Sequence, residues 1–359
     1  MPNIRIVNCH VHLFTTAHVP KNYPHWLLRP FKRFPGALPF VAWLAGVLAG
    51  PATAEKIRRL QRFLKQAGSR SQRHVLDDLR RHYPSNTRFV VLPMDLSRIG
   101  HKPPPVGLPE QHDELAALAR DPEIGRAVIP FATIDPRADP EARELWRAVD
   151  DLGFAGIKVY PRLGFAPDDP RLMQHVWGRA ERRGLPVISH CSRGGVQGRD
   201  LSDHQADRWT DPMAFAPVLR AHPGLRICLA HFGGLKDWAA YANPRAPDPY
   251  AGETTNNWQV TIRRMIASGD WPGLWTDISY TLFQFEDYAP FLRVFLMGED
   301  EGAARLRERV LFGSDFYMTR QEELSERAVC FRLRNALGDE MFRKIAEDNP
   351  RRWLGEVGG

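Results

Sequence analysis

Two histidines separated by one residue, His10 and His12, are the first side chains whose types and spacing suit a chemical site. They follow a strand-like apolar run at residues 4–7. In an extended chain, residues two apart point to the same face, so both imidazoles project together at a separation that one cation can bridge. The pattern indicates half of a metal site, although two ordinary hydrogen-bonded histidines on a strand would give the same sequence.

Further polar side chains stand at the ends of later strand-like runs: Lys158, His190, His231 and Asp315. Each alone has an ordinary explanation, because a lysine can form a salt bridge, a histidine can be hydrogen-bonded in a core, and an aspartate can cap a helix. Their joint placement at strand ends predicts a shared pocket. The two histidines of the first strand, His190 and Asp315 would enclose a metal such as Zn²⁺ and leave a position open for water.

Short apolar runs alternate with helical patterns along most of the chain. Eight runs indicate strands, at residues 4–7, 88–94, 127–134, 155–160, 185–190, 226–231, 274–279 and 309–315. Helical patterns between them include residues 110–119, 140–152 and 170–183. This alternation predicts an α/β fold with a parallel sheet, and the number of strands predicts a closed (β/α)₈ TIM-type barrel. A doubly wound open sheet is the alternative, but no glycine-rich phosphate loop follows the first strand.

A long insertion at residues 13–85 separates the first two strands of this single predicted domain, which spans residues 1–359. It contains an aromatic and proline-rich stretch at 23–26, an apolar run at 37–50 and a basic helical pattern at 55–65. Because a loop after a strand end leaves on the catalytic face, we expect a lid over the barrel or an oligomer contact. The apolar run is too short to span a bilayer, and a membrane-surface role is the alternative for it.

The composition is that of an ordinary globular protein. Hydrophobic residues make up 43% and charged residues 25% of the 359, so wholesale disorder is excluded. The formal net charge is +7, but the basic residues are mixed with 42 acidic ones, so we expect no nucleic-acid partner. The four cysteines lack C-x-x-C spacing and a strand begins almost at once, so we expect a reducing, cytoplasmic location without a secretory signal.

Taken in order, six segments resemble the amidohydrolase superfamily, and within it the amidohydrolase-2 branch that includes aminocarboxymuconate-semialdehyde decarboxylase. They are NCHVH (8–12), GIKVYP (156–161), SHC (189–191), LAHFGG (229–234), FGSD (312–315) and NPRRWL (349–354). The resemblance implies that the ligands of a single metal are His10, His12, His190 and Asp315. It also implies that His231 holds or deprotonates a metal-bound water, and that Asp315 passes the proton to the leaving group.

Lys158 leaves two kinds of metal centre open. In two-metal branches of the superfamily the lysine at this position is carboxylated and bridges both ions, whereas in single-metal relatives it binds substrate or packs. A bare ammonium would repel a neighbouring cation, so Lys158 must be carboxylated, turned away or held by an anion. We expect one ion, most simply Zn²⁺, with Mn²⁺ or a two-metal centre as alternatives.

Two arginines and several aromatic residues are candidates for substrate contacts. Arg162 and Arg193 follow strands closely enough to reach the pocket, where a guanidinium would suit a carboxylate, although surface positions explain them equally well. The loops after the fifth and sixth strands carry aromatic residues that would wall an apolar substrate site: Trp209, Trp238, Tyr241, Tyr250 and Trp258.

We therefore expect a metal-dependent hydrolase that cleaves a small carbonyl substrate, an amide, a lactone or an ester, with a metal-activated water. The alternative within the family is a metal-dependent, non-oxidative decarboxylase of an aromatic or unsaturated carboxylic acid. A non-catalytic barrel that serves as a binding scaffold is the alternative of another class. The partner is a small molecule, and the sequence leaves open whether the chain forms a homodimer.

Overall fold

A computed structural model describes residues 4–21, 68, 71–242, 257–279, 285–316 and 326–356. Eight strands form one sheet in sequence order, each parallel to the next: β1 (Val7–Val11), β2 (Arg88–Val91), β3 (Val128–Ile134), β4 (Gly156–Val159), β5 (Val187–Ser189), β6 (Ile227–Leu229), β7 (Leu274–Asp277) and β8 (Val310–Leu311). The chain beyond β8 pairs with β1 through a parallel bridge from Val11 to Phe316, which closes the sheet. The predicted (β/α)₈ TIM-type barrel is confirmed.

Helices follow the strands and cover the outside of the barrel. They are α1 (Gln72–Arg80), α2 (Leu108–Arg120), α3 (Arg143–Asp150), α4 (Pro170–Leu172), α5 (Gly178–Arg182), α6 (Asp203–Thr210), α7 (Ala216–Ala221), α8 (Leu235–Ala242), α9 (Trp258–Ser268), α10 (Phe285–Met297), α11 (Glu301–Arg307), α12 (Glu326–Leu337), α13 (Asp339–Arg343) and α14 (Asn349–Leu354). One π-helical turn, Met173–Trp177, joins α4 to α5, and another, Lys344–Asp348, joins α13 to α14.

The apolar core has an inner and an outer layer. The inner layer fills the barrel with strand residues and with Trp353 of α14: Val7, Cys9, Val90, Leu92, Ile129, Phe131, Ile188, Cys228, Ala230, Trp275, Leu311 and Trp353. The outer layer packs the other faces of the strands against the helices. Interior side chains in such a barrel form a packed core rather than a pore, so polar groups are presented only where the strands end.

The first strand begins later than the apolar run at residues 4–7 indicates, because backbone pairing with β2 starts at Val7. The register of β1 then shifts between Asn8 and Val11, which is a bulge. Cys9 packs in the inner layer and Val11 in the outer one. A bulge reverses the alternation of side chains along a strand. Cys9 and His10 therefore both face the inside of the barrel although they are adjacent, and His12 faces inward as well.

The insertion at residues 13–85 is described only near its two ends. Its first part forms a short 3₁₀ turn, Thr16–His18, which packs against α2 because His18 Nε2 lies 3.2 Å from Glu114. The stretches at 23–26, 37–50 and 55–65 lie outside the described residues. The expectation of a lid or an oligomer contact therefore stays a prediction.

Two expectations from composition can be compared with the structure. Within the described ranges, no helix combines the length and the apolar character needed to cross a bilayer. All four cysteines are described and are free thiols, and Cys9, Cys191 and Cys228 are buried.

Candidate metal centre

His10 and His12 present one nitrogen atom each to the same point at the end of β1. His10 Nδ1 lies 2.9 Å from Asp277 Oδ2, and His12 Nδ1 lies 2.8 Å from the Leu92 carbonyl oxygen. Because both acceptors call for a hydrogen on Nδ1, the lone pair of each ring is on Nε2. This is the tautomer in which two histidines can bind one cation through Nε2.

Asp315, just beyond β8, supplies a carboxylate to these two nitrogen atoms. Its Oδ1 lies 3.9 Å from His10 Nε2 and 3.5 Å from His12 Nε2. One ligand atom from each of the three residues lies within 4.8 Å of the others. Ligand atoms that each lie about 2.1 Å from one ion are roughly 3–3.5 Å apart, so small movements would bring all three onto a single cation.

The residues present fit a divalent cation on grounds of hydrogen bonding and charge. His10 Nε2 is buried and has no hydrogen-bond partner in the part of the chain that the structure describes. Burial, and then the charge of Lys158, lowers the pKa of His10 well below its usual range and that of His12 to about 3. Both rings are therefore neutral, as ligation requires.

Asp277, at the end of β7, organises the site although the sequence analysis did not single it out. Besides the hydrogen of His10, it accepts the backbone N–H groups of His231 at 3.0 Å and Ser279 at 2.9 Å, and the Ser279 hydroxyl donates to it. A carboxylate behind a ligating histidine fixes the tautomer of the ring and raises its basicity. The available signal was an acidic residue near the end of the buried run at 274–279.

His231 follows β6 in a left-handed backbone conformation, with φ of 68°. Its Nδ1 lies 2.9 Å from Ser279 Oγ, whose own hydrogen is donated to Asp277. The hydrogen of the ring is therefore on Nδ1, and Nε2 is the basic atom. Strained backbone held by its surroundings is typical of functional sites.

The structure places His190 beside His231 and outside the group of His10, His12 and Asp315. His190 Nδ1 lies 3.1 Å from His231 Nε2, and its Nε2 lies 3.2 Å from Ser192 Oγ. The ring stacks on Tyr160 with 4.4 Å between centroids. Both nitrogen atoms of His190 thus have protein partners, and its part as a metal ligand stays a prediction.

Lys158, in β4, brings an ammonium group into the same interior. The residue is fully buried, and within the described ranges its Nζ has no hydrogen-bond partner. Burial lowers its pKa, and the carboxylates of Asp315 and Asp277 partly oppose this effect. Burial also raises the pKa of Asp315, while Lys158 lowers it. Burial of an ammonium without a hydrogen-bond acceptor costs free energy, so an anion bound beside Lys158 would be stabilised.

The two candidate arginines both form ion pairs with carboxylates of the helices that follow β5 and β6. Arg162 is fully buried and contacts Asp203 at 2.5 Å and also Asp207. Asp207 in turn accepts the N–H of Gly194, so this pair holds the loop after β5. Arg193 donates to Asp237 at 3.0 Å. These contacts hold the segments that follow β4 and β5 in place. Substrate binding by either arginine stays a prediction.

The aromatic wall stays a prediction, because the cavity that two of its five residues line includes none of the proposed metal ligands. Trp209 and Trp258 line a cavity of about 470 Å³ together with Arg193, whose guanidinium lies 4.5 Å from the Trp258 ring. Trp238 is instead buried against Phe232. Tyr241 packs on α10, and Tyr250 lies outside the described residues.

Comparison with known proteins gives one family and several structural relatives. A family model described as Amidohydrolase matches residues 8–355. None of the curated proteins matches the sequence significantly. Among solved structures, an uncharacterised TIM-barrel protein from Bordetella bronchiseptica is 17% identical, with a TM-score of 0.57 over 98% of each chain.

Two other structural relatives are 5-carboxyvanillate decarboxylases. The enzyme from Sphingomonas paucimobilis is 16% identical, with a TM-score of 0.53 over 98% of this chain and 99% of that one. The enzyme from Novosphingobium aromaticivorans is 13% identical, with a TM-score of 0.53 over 98% of this chain and 96% of that one. Its structure contains manganese and 4-hydroxy-3-methoxy-5-nitrobenzoic acid. At these identities the likeness is one of fold.

Proposed function

This chain belongs to the amidohydrolase family, and from that premise we propose that it is a metal-dependent, non-oxidative decarboxylase of an aromatic or unsaturated carboxylic acid. The ligands we assign to the metal are His10, His12 and Asp315, whose ligand atoms lie within 4.8 Å of one another. His190, implied as a fourth ligand by the family resemblance, would join them by exchanging its contact with His231 or its contact with Ser192.

The observation that carries the proposal is the buried ammonium of Lys158. Its Nζ has no hydrogen-bond acceptor among the described residues, and it lies in the barrel interior that also holds the proposed ligands. A substrate carboxylate would supply the hydrogen-bond acceptor that the described residues do not provide, and it would add a negative charge to those of Asp315 and Asp277. A neutral amide, lactone or ester could accept a hydrogen bond through its carbonyl oxygen, but it would bring no negative charge to the ammonium.

One divalent ion, zinc or manganese, is the cofactor we propose. Bound by the three ligands, it would act as a Lewis acid that draws electron density from the oxygen atoms of the substrate. Asp277 would keep the His10 ring in the tautomer that binds the metal, because it accepts the Nδ1 hydrogen at 2.9 Å.

The remaining groups account for the proton that decarboxylation consumes. The reaction breaks the bond between the carboxyl carbon and its neighbour, releases CO₂ and requires one proton on the carbon left behind. Asp315 and His231 are the two groups of the site that can carry this proton, since His231 Nε2 is the basic atom of its ring. Lys158 would hold the carboxylate before the bond breaks.

Two further points favour this reaction over hydrolysis, which the sequence analysis placed first. Two structural relatives are 5-carboxyvanillate decarboxylases, and one was solved with manganese and a benzoic acid. Their fold extends over nearly the whole of this chain. Because of these two relatives, aromatic acids are the first compounds to test. The charge of Lys158 carries the argument for a carboxylate.

Product analysis separates decarboxylation from hydrolysis. The metal-loaded protein is incubated with a panel of hydroxylated benzoic acids and, in parallel, with aryl esters, lactones and amides. We expect CO₂ release from at least one acid, its loss in His10→Ala, and its retention in His222→Ala, which changes a histidine that pairs with Glu181 away from the site. Turnover confined to the esters, lactones or amides would contradict the proposal.

A further inference from the structure

The junction between β8 and β1 divides the proposed metal ligands into two sets. His10 and His12 belong to the β1 side, whereas Asp315 belongs to the β8 side. β8 has only two residues, and the junction is held by backbone bonds from Cys9 N to the Phe312 oxygen at 2.8 Å and from Asp315 N to the His10 oxygen at 2.9 Å. Because so few backbone bonds hold the junction, the distance between the two sets also depends on the side chains that bridge it.

The amide of Asn8 spans the junction from the outer face of the barrel. Its Oδ1 accepts the backbone N–H of His10 at 3.2 Å and that of Ser314 at 3.1 Å. Its Nδ2 donates to Ser314 Oγ at 2.8 Å and to the Tyr83 hydroxyl at 2.9 Å. Asn8 is fully buried, and both donor hydrogens and both acceptor positions of its amide are used.

The bond to His10 lies at the bulge of β1. Cys9 packs inside the barrel and Val11 outside it, so the alternation of the strand reverses between them. In a regular strand the inward position of Cys9 would turn His10 outward. Because Asn8 Oδ1 accepts the N–H that the bulge removes from the ladder, it stabilises the conformation that aims His10 and His12 inward.

The same amide is anchored behind the junction. The Tyr83 hydroxyl that accepts from Asn8 donates to Glu326 Oε2 at 2.6 Å, and Glu326 is a fully buried residue at the start of α12. The Asn8 amide is thus held in one orientation by Tyr83, which follows α1, and through it by Glu326 of α12. An amide whose oxygen and nitrogen are both hydrogen-bonded in a fully satisfied buried network is fixed in one orientation.

We propose that Asn8 is a positioning residue of the metal centre, which fixes the bulge of β1 and the separation of β1 from β8 so that His10, His12 and Asp315 face one cation. This role rests on the metal centre proposed above. It goes beyond that proposal because the hydrogen bonds of the Asn8 amide reach the backbone of His10 and of the residue before Asp315 instead of the ligand side chains.

The chain offers a matched control for this role. Asn349 is also a fully buried asparagine that fixes β8, since its Nδ2 donates to the Arg307 and Val310 oxygen atoms, both at 2.7 Å. It acts at the opposite end of β8 from Asp315. Asn8→Ala and Asn349→Ala should both lower the free energy of unfolding, but only Asn8→Ala should change the metal site.

The test measures metal affinity by competition with a chelator, and the visible spectrum of the Co²⁺-substituted protein, which reports ligand geometry without any substrate. We expect Asn8→Ala to raise the metal dissociation constant by about 10–100-fold, the range found when groups behind metal ligands are removed, and to alter the Co²⁺ spectrum. Asn349→Ala should leave both close to the wild-type values. Asn8→Asp should restore part of the affinity, because its carboxylate still accepts both N–H groups but cannot donate to Ser314 or Tyr83.

The outcomes separate the two proposals. Wild-type affinity and spectrum in Asn8→Ala would show that Asn8 only stabilises the fold and would overturn its positioning role. Should Asn8→Ala not fold, Asn8→Ser carries the same test, because its hydroxyl is too short to reach both N–H groups. A wild-type protein that binds no stoichiometric metal would overturn the metal centre itself, and the role of Asn8 with it.

Discussion

His10 Nδ1 and Asp277 Oδ2 lie 2.9 Å apart, and both residues are fully buried. This contact joins β1 to β7 across the closing edge of the barrel. It leaves His10 Nε2 as the atom that faces Asp315. The sequence separation of the pair, 267 residues, means that only the closed barrel brings them together.

Asp277→Asn tests whether this contact tunes a metal ligand. The amide can still occupy the position, but it carries no negative charge and accepts hydrogen bonds less strongly, so His10 becomes a weaker ligand. We expect metal affinity to fall by about 10–100-fold, measured by chelator competition. Asp135→Asn is the control, since Asp135 is buried and pairs with Arg137 instead of a histidine. Equal metal affinity in the two variants would contradict this role.

Lys158→Met should change two affinities in opposite directions. Removal of a buried positive charge near the cation should tighten metal binding by roughly tenfold. Loss of the ammonium should weaken binding of a benzoate-type acid to the metal-loaded protein by about 10–100-fold. Isothermal titration measures both. Lys102→Met, at an exposed position, should change neither. Unchanged benzoate binding in Lys158→Met would remove this lysine from the substrate site.

Gly313→Ala should disturb the metal site through backbone spacing. A Cβ at this position would lie 2.8 Å from the His10 Cβ and 3.2 Å from the Ser279 Cβ. We expect the free energy of unfolding to fall by about 1–3 kcal/mol and metal affinity to fall with it, since His10 must move. Gly178→Ala, where a Cβ meets only side-chain atoms at 3.4 Å or more, should leave metal affinity unchanged. Denaturant unfolding and chelator competition measure the two effects, and unaltered metal affinity in Gly313→Ala would show that His10 tolerates the shift.

The barrel could be predicted from the sequence because seven of the eight apolar runs contain a strand, and β1 begins at the end of the first run. The runs are buried on both faces, which gives parallel strands their near-continuous hydrophobic sequences. The strand ends also pointed to His10, His12 and Asp315, which the structure brings within 4.8 Å of one another. Their function as metal ligands stays a prediction.

The supporting contacts could not be predicted, because each joins residues far apart in the chain. Asn8, beside the bulge of β1, donates to Ser314, which lies 306 positions away, and no periodicity of the sequence shows this contact. Asp277 is one acidic residue among many until the barrel closes and brings the end of β7 to His10 of β1. Arg162 stays a candidate for a substrate contact because it follows β4, but its ion pair with Asp207 could not be predicted, since it depends on where α6 packs.

The number of metal ions per purified chain tests the central claim most directly, because it needs no knowledge of the substrate. Elemental analysis should find close to one divalent ion per wild-type chain and close to none in the His10→Ala/His12→Ala double variant, which loses two neutral ligands from one face of β1. His222→Ala should retain close to one. A value near two in the wild type would instead support the two-metal centre. Stoichiometric metal in the folded double variant would contradict the assignment of this site.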